Sequence, residues 1–580
     1  MQFKQGTLCR NRVIEHLQRI YTELDHAVLA DRLLSIMAFT DENETLPERA
    51  NKWNEQDVWM ITYGDSVQEA NTRPLTSLKE FIDQRLSNVI NGVHILPFFP
   101  YSSDDGFSVI NYKQVNESLG EWQDIRAIAK NYHLMADLVI NHCSARSQWF
   151  ENYKQRKDPG KDYFAEALPT DDLSMVVRPR TSDLLKEVET LDGTRHVWCT
   201  FGHDQVDLDF SNPEVLCEMV EIVHHYLENG VRVFRLDAVA FLWKEVGSDS
   251  IHLPQTHEVV RLLRTLIEAH SADAVIITET NVPNVENLSY FGNANEAHAV
   301  YNFSLPPLVL HALLSGSSEH LKAWQMSMPP AQMGTFYFNF LASHDGIGLR
   351  PAEGLLSEQD INSMVDAVQD SGGKVSWRTT EGESRKPYEL NVTLFDALQG
   401  SFAGKDTWQV QRFLCAHAIM LSLEGVPGIY IHSFLGTNNY LEGVEGTGHN
   451  RTINRFKWDY AELTQQLDSD SHHAEVFQSL CELITIRRKQ EAFHPNAIQY
   501  TLHLGDDVFA FWRQSIHRDQ SIFCIHNVTD RQIEIPLKEV NLISLDNWCD
   551  LVSDTQYGVN ETMVLAPYQF VWLSNKNLSC

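Results

Sequence analysis

Short apolar runs rich in Val, Ile and Phe recur along the chain, separated by segments whose apolar residues repeat at helical spacing. The runs at 57–66, 92–100, 133–142, 231–241, 274–281, 297–306, 337–346 and 426–434 are each long enough for one buried strand. Segments 76–90, 121–132, 213–229, 256–271 and 407–423 read as helices between them. This alternation predicts an α/β fold, a closed (β/α)8 TIM barrel spanning 56–142 and 206–490. Two stretches break the rhythm, 143–205 and 347–406, and are expected as irregular insertions that lengthen the loops at one barrel face. Residues 10–39 place Val13, Leu17, Ile20, Leu24, Val28, Leu33 and Ile36 at helical spacing. They predict one or two helices within an N-terminal extension, 1–55, packed on the main body. After a helix near 474–490, runs such as 507–515 and 521–528 predict a C-terminal β domain over 491–580.

Composition narrows the partners. At 580 residues the chain is too long for one core. Lys and Arg number 46 against 78 Asp and Glu, a formal charge of −32. Nucleic acid and anionic membranes need clustered positive charge and are excluded as partners on this balance; small-molecule substrates remain. Nine cysteines are scattered without a CxxC pair or zinc-type spacing. Cys143 and Cys199 read as small buried thiols. No signal-peptide core and no membrane-length apolar run is present, so a cytoplasmic setting is expected. The sequence is silent on oligomeric state.

The chemistry lies in three acids at the ends of three apolar runs: Asp237 in VRVFRLDAVAF, Glu279 in AVIITETN and Asp345 in YFNFLASHDG. A lone Asp after a strand is as often a helix cap or a solvated loop residue. Three together, with Arg235, His142 and His344 at similar strand ends, are harder to dismiss. In a parallel barrel all strand C-termini open on one face. Acids gathered there suit glycosidic chemistry, which needs a nucleophile and a general acid. Arg235 shares strand parity with Asp237, so both project to one side and the guanidinium favours an ionised Asp237. Asp237 is the candidate nucleophile and Glu279 the general acid/base. Asp345 and the two histidines would hold sugar hydroxyls.

DLVINH, FRLDAVAF, ITETN and SHDG resemble the four ordered sequence regions of the α-amylase superfamily, glycoside hydrolase family 13, whose members are retaining glycosidases and transglycosylases. The resemblance implies Asp345 as transition-state stabiliser and Arg235, His142 and His344 as glucose-site residues. ITYGDS, GVHILPFFPYSSDDGFSVI, NFSLPPLVLHAL and GHNRTINR are similar to the sucrose phosphorylase group within it. That implies a one-sugar pocket closed by Asp104 and Arg451 and lined by Phe107. The RPR triplet at 178–180 matches a phosphate loop, with Arg180 as phosphate ligand. In the second insertion, WRTTEGESRKPYELNVT places Arg385 and Lys386 before Pro387, Tyr388 and Glu389. The matching loop of sucrose phosphorylases holds fructose with acidic and amide residues, so cations here suit an acidic acceptor, and the resemblance implies Arg385, Lys386, Tyr388 and Glu389 as phosphate- or acceptor-binding residues. With the N-terminal extension, these motifs look closest to the glucosylglycerate phosphorylase branch. The implied reaction is reversible phosphorolysis of 2-O-α-D-glucosyl-D-glycerate to α-D-glucose 1-phosphate and D-glycerate by double displacement. The alternatives are sucrose, sucrose 6′-phosphate or glucosylglycerol phosphorolysis, α-glucosidase hydrolysis, or a non-catalytic barrel. Asn141 matches a calcium position of many α-amylases, but the sucrose phosphorylase group lacks that requirement, so neither metal nor cofactor is expected.

Overall fold

The computed structural model describes residues 8–39, 50–179, 182–379, 385–540 and 548–576. Eight parallel strands close into a barrel: β1 (Trp59–Thr62), β2 (Gly92–Ile95), β3 (His133–Val139), β4 (Val231–Asp237), β5 (Val275–Thr278), β6 (Ala299–Tyr301), β7 (Phe336–Asn339) and β8 (Val426–Tyr430). Closure is made by β8 against β1, with Trp59 opposite Gly428. Aromatic rings fill the interior. Trp59 and Phe338 stand 5.5 Å apart, centre to centre. Glycines make room for them: a Cβ on Gly92 would fall 2.1 Å from the Trp59 ring, and one on Gly428 2.3 Å from that of Phe338. The barrel is therefore a packed core, and any ligand must sit at its rim.

Each strand is shorter than the apolar run that predicts it, because the run continues into the loop beyond. In 297–306 the strand stops at Tyr301 and a helix begins at Leu305. That helix, Leu305–Ser315, and the next, Glu319–Ser327, were not expected. Leu305–Leu314 is buried throughout, so no polar face marks it as helical, and Pro306 and Pro307 stand in its first turn, where proline is tolerated.

The two stretches expected to be irregular carry ordered structure. The first holds a helix, Gln148–Lys154, and a hairpin pairing Leu185–Thr190 with Gly193–Trp198. The second holds a helix, Glu358–Asp370, started by a Ser357–Asp360 capping box. A hairpin follows, pairing Lys374–Thr379 with Arg385–Asn391, and the latter strand also pairs with Ile347–Gly348 just after β7.

Two helices precede the barrel, α1 (Leu8–Ile20) and α2 (His26–Ile36). Helix α1 buries Cys9, Val13, His16, Leu17 and Ile20, a single face at helical spacing. It packs on α4 (Pro254–His270), where His16 bridges Glu258 at 2.6 Å and Thr265 at 3.2 Å. Helix α2 lies on α3 (Pro213–Glu228), with Arg32 forked onto Glu214 at 2.5 and 2.8 Å. At the other end, a six-stranded sheet begins at Ile498 and includes Val508–Gln514, Ser521–Asn527 and Phe570–Ser574. Among the described residues no helix is long and apolar enough to cross a membrane.

Candidate active site

Strand register brings the acids together. Leu236 on β4 pairs with Thr278, the last residue of β5, and the next residue along the chain from each is an acid, Asp237 and Glu279. On the other side of β4, Arg235 pairs with Asp137 of β3. The Arg235 guanidinium donates to Asp237 Oδ1 at 2.8 Å and to Asp137, and lies 3.8 Å from Glu279. Asp137 is held from behind by His94 at 2.7 Å. Ala238 adopts a left-handed φ of 51°, a conformation that a non-glycine residue holds only at a cost. Its N–H donates to Glu279 Oε2 at 3.0 Å.

Burial pushes the Asp237 and Glu279 carboxyls up; Arg235 opposes this for both. The two acids share one guanidinium and titrate as a pair. Arg235 bonds Asp237 directly and stands 3.8 Å from Glu279, so its charge favours the anion on Asp237 more than on Glu279, against the stronger burial of Asp237. Asp345 differs. Burial would raise it, but the charges of Arg451, Arg455 and Arg235 outweigh burial and hold it well below the usual carboxylate range.

The loop after β7 carries His344 and Asp345. His344 stacks flat on Phe107, ring centres 5.0 Å apart. Burial lowers its imidazole to about 3, so it stays neutral. His142 is also lowered by burial, and donates from Nε2 to the Phe107 carbonyl at 3.0 Å. Arg451 bonds Asp345 at 2.7 Å and grips Glu389 through a fork at 3.0 and 2.6 Å. Asp104 lies in a tight turn with φ 53°, and Gln205 donates to it at 3.3 Å.

These groups border one pocket of about 740 Å³. Asp104, Phe107, His142, Asp237, Glu279, His344, Asp345, Tyr388 and Arg451 all line it. Arg235 stands just beneath and lines an adjoining cavity. Glu389 is buried and does not line the pocket: it holds Arg451 in place. Arg385 and Lys386 are not brought to it either. They border a separate surface cleft, where Lys386 pairs with Glu358 at 3.2 Å. Arg180 lies outside the described residues; its neighbour Pro179 lines the pocket. Residues not singled out from sequence also face it: Phe201, Gln205, Asn281 and Arg350. Arg455 braces the His344–Asp345 loop, donating to the His344 carbonyl at 3.0 Å. It falls within GHNRTINR, and a second arginine in that motif was the available signal.

Asn141, the position matched to calcium, is engaged by a built-in cation. Lys244 Nζ donates to Asn141 Oδ1 at 2.6 Å and pairs with buried Asp207 at 3.0 Å. Two groups of potential metal ligands among the described residues, His224–Glu228–His270 and His311–His320–Asp360, contribute nothing to the pocket's lining. Cys143 is buried and its thiol is pushed up to about 12. Cys9, Cys143, Cys199, Cys217, Cys415, Cys481 and Cys524 are free thiols.

Comparison with known proteins agrees with this geometry. Residues 86–347 match the family described as alpha amylase, catalytic domain. A glucosylglycerate phosphorylase of Spirochaeta thermophila is 46% identical over 474 residues, 82% of this chain and 80% of that protein. One from Escherichia coli is 42% identical over 562 residues, 96% of each. The crystal structure of sucrose 6F-phosphate phosphorylase from Thermoanaerobacter thermosaccharolyticum superposes with a TM-score of 0.71 at 26% identity, covering 82% of this chain and 94% of that one. The chain belongs to the α-amylase family, in the group that contains the glucosylglycerate phosphorylases.

Proposed function

We propose that this protein is a retaining glycoside phosphorylase that interconverts 2-O-α-D-glucosyl-D-glycerate and phosphate with α-D-glucose 1-phosphate and D-glycerate. One observation supports the glycosyl-transfer chemistry above all: Arg235 bonds Asp237 directly at 2.8 Å, while Glu279, one strand away, stands 3.8 Å from it with its carboxyl pushed up by burial. The acceptor follows from the relatives, which at 41 to 46% identity are glucosylglycerate phosphorylases.

Asp237 attacks the anomeric carbon and Glu279 gives its proton to the departing glycerate oxygen, leaving a β-glucosyl ester on Asp237. A phosphate oxygen then attacks the same carbon, the ester bond to Asp237 breaks, and the phosphate's acidic proton restores Glu279. Two inversions return the α configuration. Arg451, fixed by Glu389 and Asp345, closes the sugar end so that one glucosyl unit fits. Arg180, beside Pro179, is assigned to phosphate from its motif. The free thiols suit a reduced cytoplasm.

An acceptor screen in the synthetic direction tests this. The protein receives α-D-glucose 1-phosphate with D-glycerate, glycerol, fructose or fructose 6-phosphate, and phosphate release is followed. D-Glycerate should give the dominant rate. Repeated across pH, glucosylglycerate phosphorolysis should fall as pH rises through the raised value of Glu279, because the protonated form is the one that acts. Glucose release at equal rate with and without phosphate would replace the proposal with hydrolysis.

A further inference from the structure

The pocket is lined by four acidic residues, Asp104, Asp237, Glu279 and Asp345, in a chain of net charge −32. An oxyanion entering it is repelled unless a cation receives it. Most positive charges nearby are already committed. Arg451 serves Asp345 and Glu389, Arg235 serves Asp137 and Asp237, and Arg455 serves Asp105 and Asp345. Burial keeps His142 and His344 neutral.

Arg350 is the exception. It lines the pocket with Asn281, Val282 and Tyr388, and its guanidinium has no hydrogen-bond or ion-pair partner among the described residues. Its backbone, by contrast, is pinned. The Leu349 N–H donates to the Tyr388 carbonyl at 3.0 Å, Ser304 Oγ to the Pro351 carbonyl at 2.9 Å, and the Glu353 N–H to the carbonyl of Arg350 itself at 3.1 Å. Pro351 and Ala352 bury the turn that follows. A long cationic side chain is thus delivered to the pocket from a fixed base and left unsatisfied there. A planar fork of N–H donors in that state is complementary to a carboxylate or a phosphate.

We propose that Arg350 is the oxyanion clamp of the acceptor side, binding the carboxylate of a small hydroxy acid or the phosphate that replaces it in the other half-reaction. The carboxylate arm rests on the glycerate reading above; the phosphate arm does not depend on which acceptor is used. Arg385 and Lys386, outside the pocket, are not needed for it.

The test uses α-D-glucosyl fluoride, a donor without phosphate, so that only the acceptor changes. Wild type, Arg350→Gln and Arg350→Lys are each supplied with D-glycerate, glycerol or inorganic phosphate, and glucosylated products are quantified. Glycerol keeps the three-carbon skeleton of glycerate and lacks its carboxylate. Arg350→Gln should lower kcat/KM for the oxyanion acceptor on the order of a hundredfold, the size expected for a lost charge-assisted pair, while glycerol changes little. Arg350→Lys should restore part of the loss, since it keeps the charge without the fork. Selective loss with either anion upholds the clamp and identifies which oxyanion it holds. Equal loss with glycerol, or no loss with any acceptor, overturns it, with thermal unfolding confirming that each variant is folded. A wild type that ignores glycerate but accepts phosphate would remove the glycerate reading and leave the phosphate arm to decide Arg350.

Discussion

Two arginines line the pocket, and they are wired in opposite ways. Arg451 has two carboxylates, one of them buried behind it, and its charge is spent before any ligand arrives. Arg350 has none among the described residues. A neutralised guanidinium works as a wall: it fixes shape, offers directed N–H groups to sugar hydroxyls and adds little net field. An unneutralised one works as a receptor for charge. Their difference accounts for how one pocket can take a neutral sugar at one end and an anion at the other, within a strongly acidic protein. The desolvation that a free buried charge would incur is limited at Arg350 because it remains partly exposed.

The comparison can be broken or sharpened by experiment. The largest effect should come from the shared floor. Asp237→Asn removes the nucleophile for both ends and should reduce turnover roughly 10⁴-fold or more with every acceptor, with unfolding unchanged, measured as glucose 1-phosphate formed. If the rate survived, Asp237 would leave the mechanism and both ends would lose their common reference. Next, Glu389→Gln strips Arg451 of its inner partner. It should raise the KM for the glucosyl donor about tenfold and lower unfolding stability by about 1–3 kcal/mol, because a partly buried guanidinium loses one of its anions. A change confined to the acceptor KM would mean that the two ends are not electrically separate. The smallest effect should follow from neutralising Arg385 and Lys386 together. Both lie on an outer cleft, where an exposed pair contributes little, so the KM for D-glycerate should move less than about twofold. A large rise would bring that cleft into the acceptor path.

The sequence carried the barrel and the floor of the site clearly, for a physical reason. Buried parallel strands leave apolar runs, and an acid that ends such a run has few places to go but the rim. The register that sets Asp237 beside Glu279 is not written in those runs; it is supplied by the pairing of Leu236 with Thr278. The insertions were harder to read. The Leu185–Thr190 strand is half exposed and alternates weakly, so its period does not emerge from LKEVET. The helix Glu358–Asp370 carries a start signal, a Ser-x-x-Asp box before Met364, Val365 and Val368, but its polar neighbours mask that sparse apolar face. Charged side chains were the least legible. Glu389, Arg385 and Lys386 stand in one motif, yet one props up an arginine and two face an outer cleft. Arg350, five residues past Asp345, looks like any loop arginine until its lack of a partner is seen.

The hairpin strand Arg385–Asn391 places Tyr388 in the pocket and the next residue, Glu389, behind Arg451. Successive residues of a strand face opposite ways, so one short ribbon serves both substrates at once. This ties the history of the enzyme to its geometry. Replacing that ribbon wholesale to recruit a new acceptor would loosen the grip on glucose in the same event. A descendant lineage exploring other acceptors has an easier route through the Arg350 turn, which can change its side chain without disturbing the sugar end.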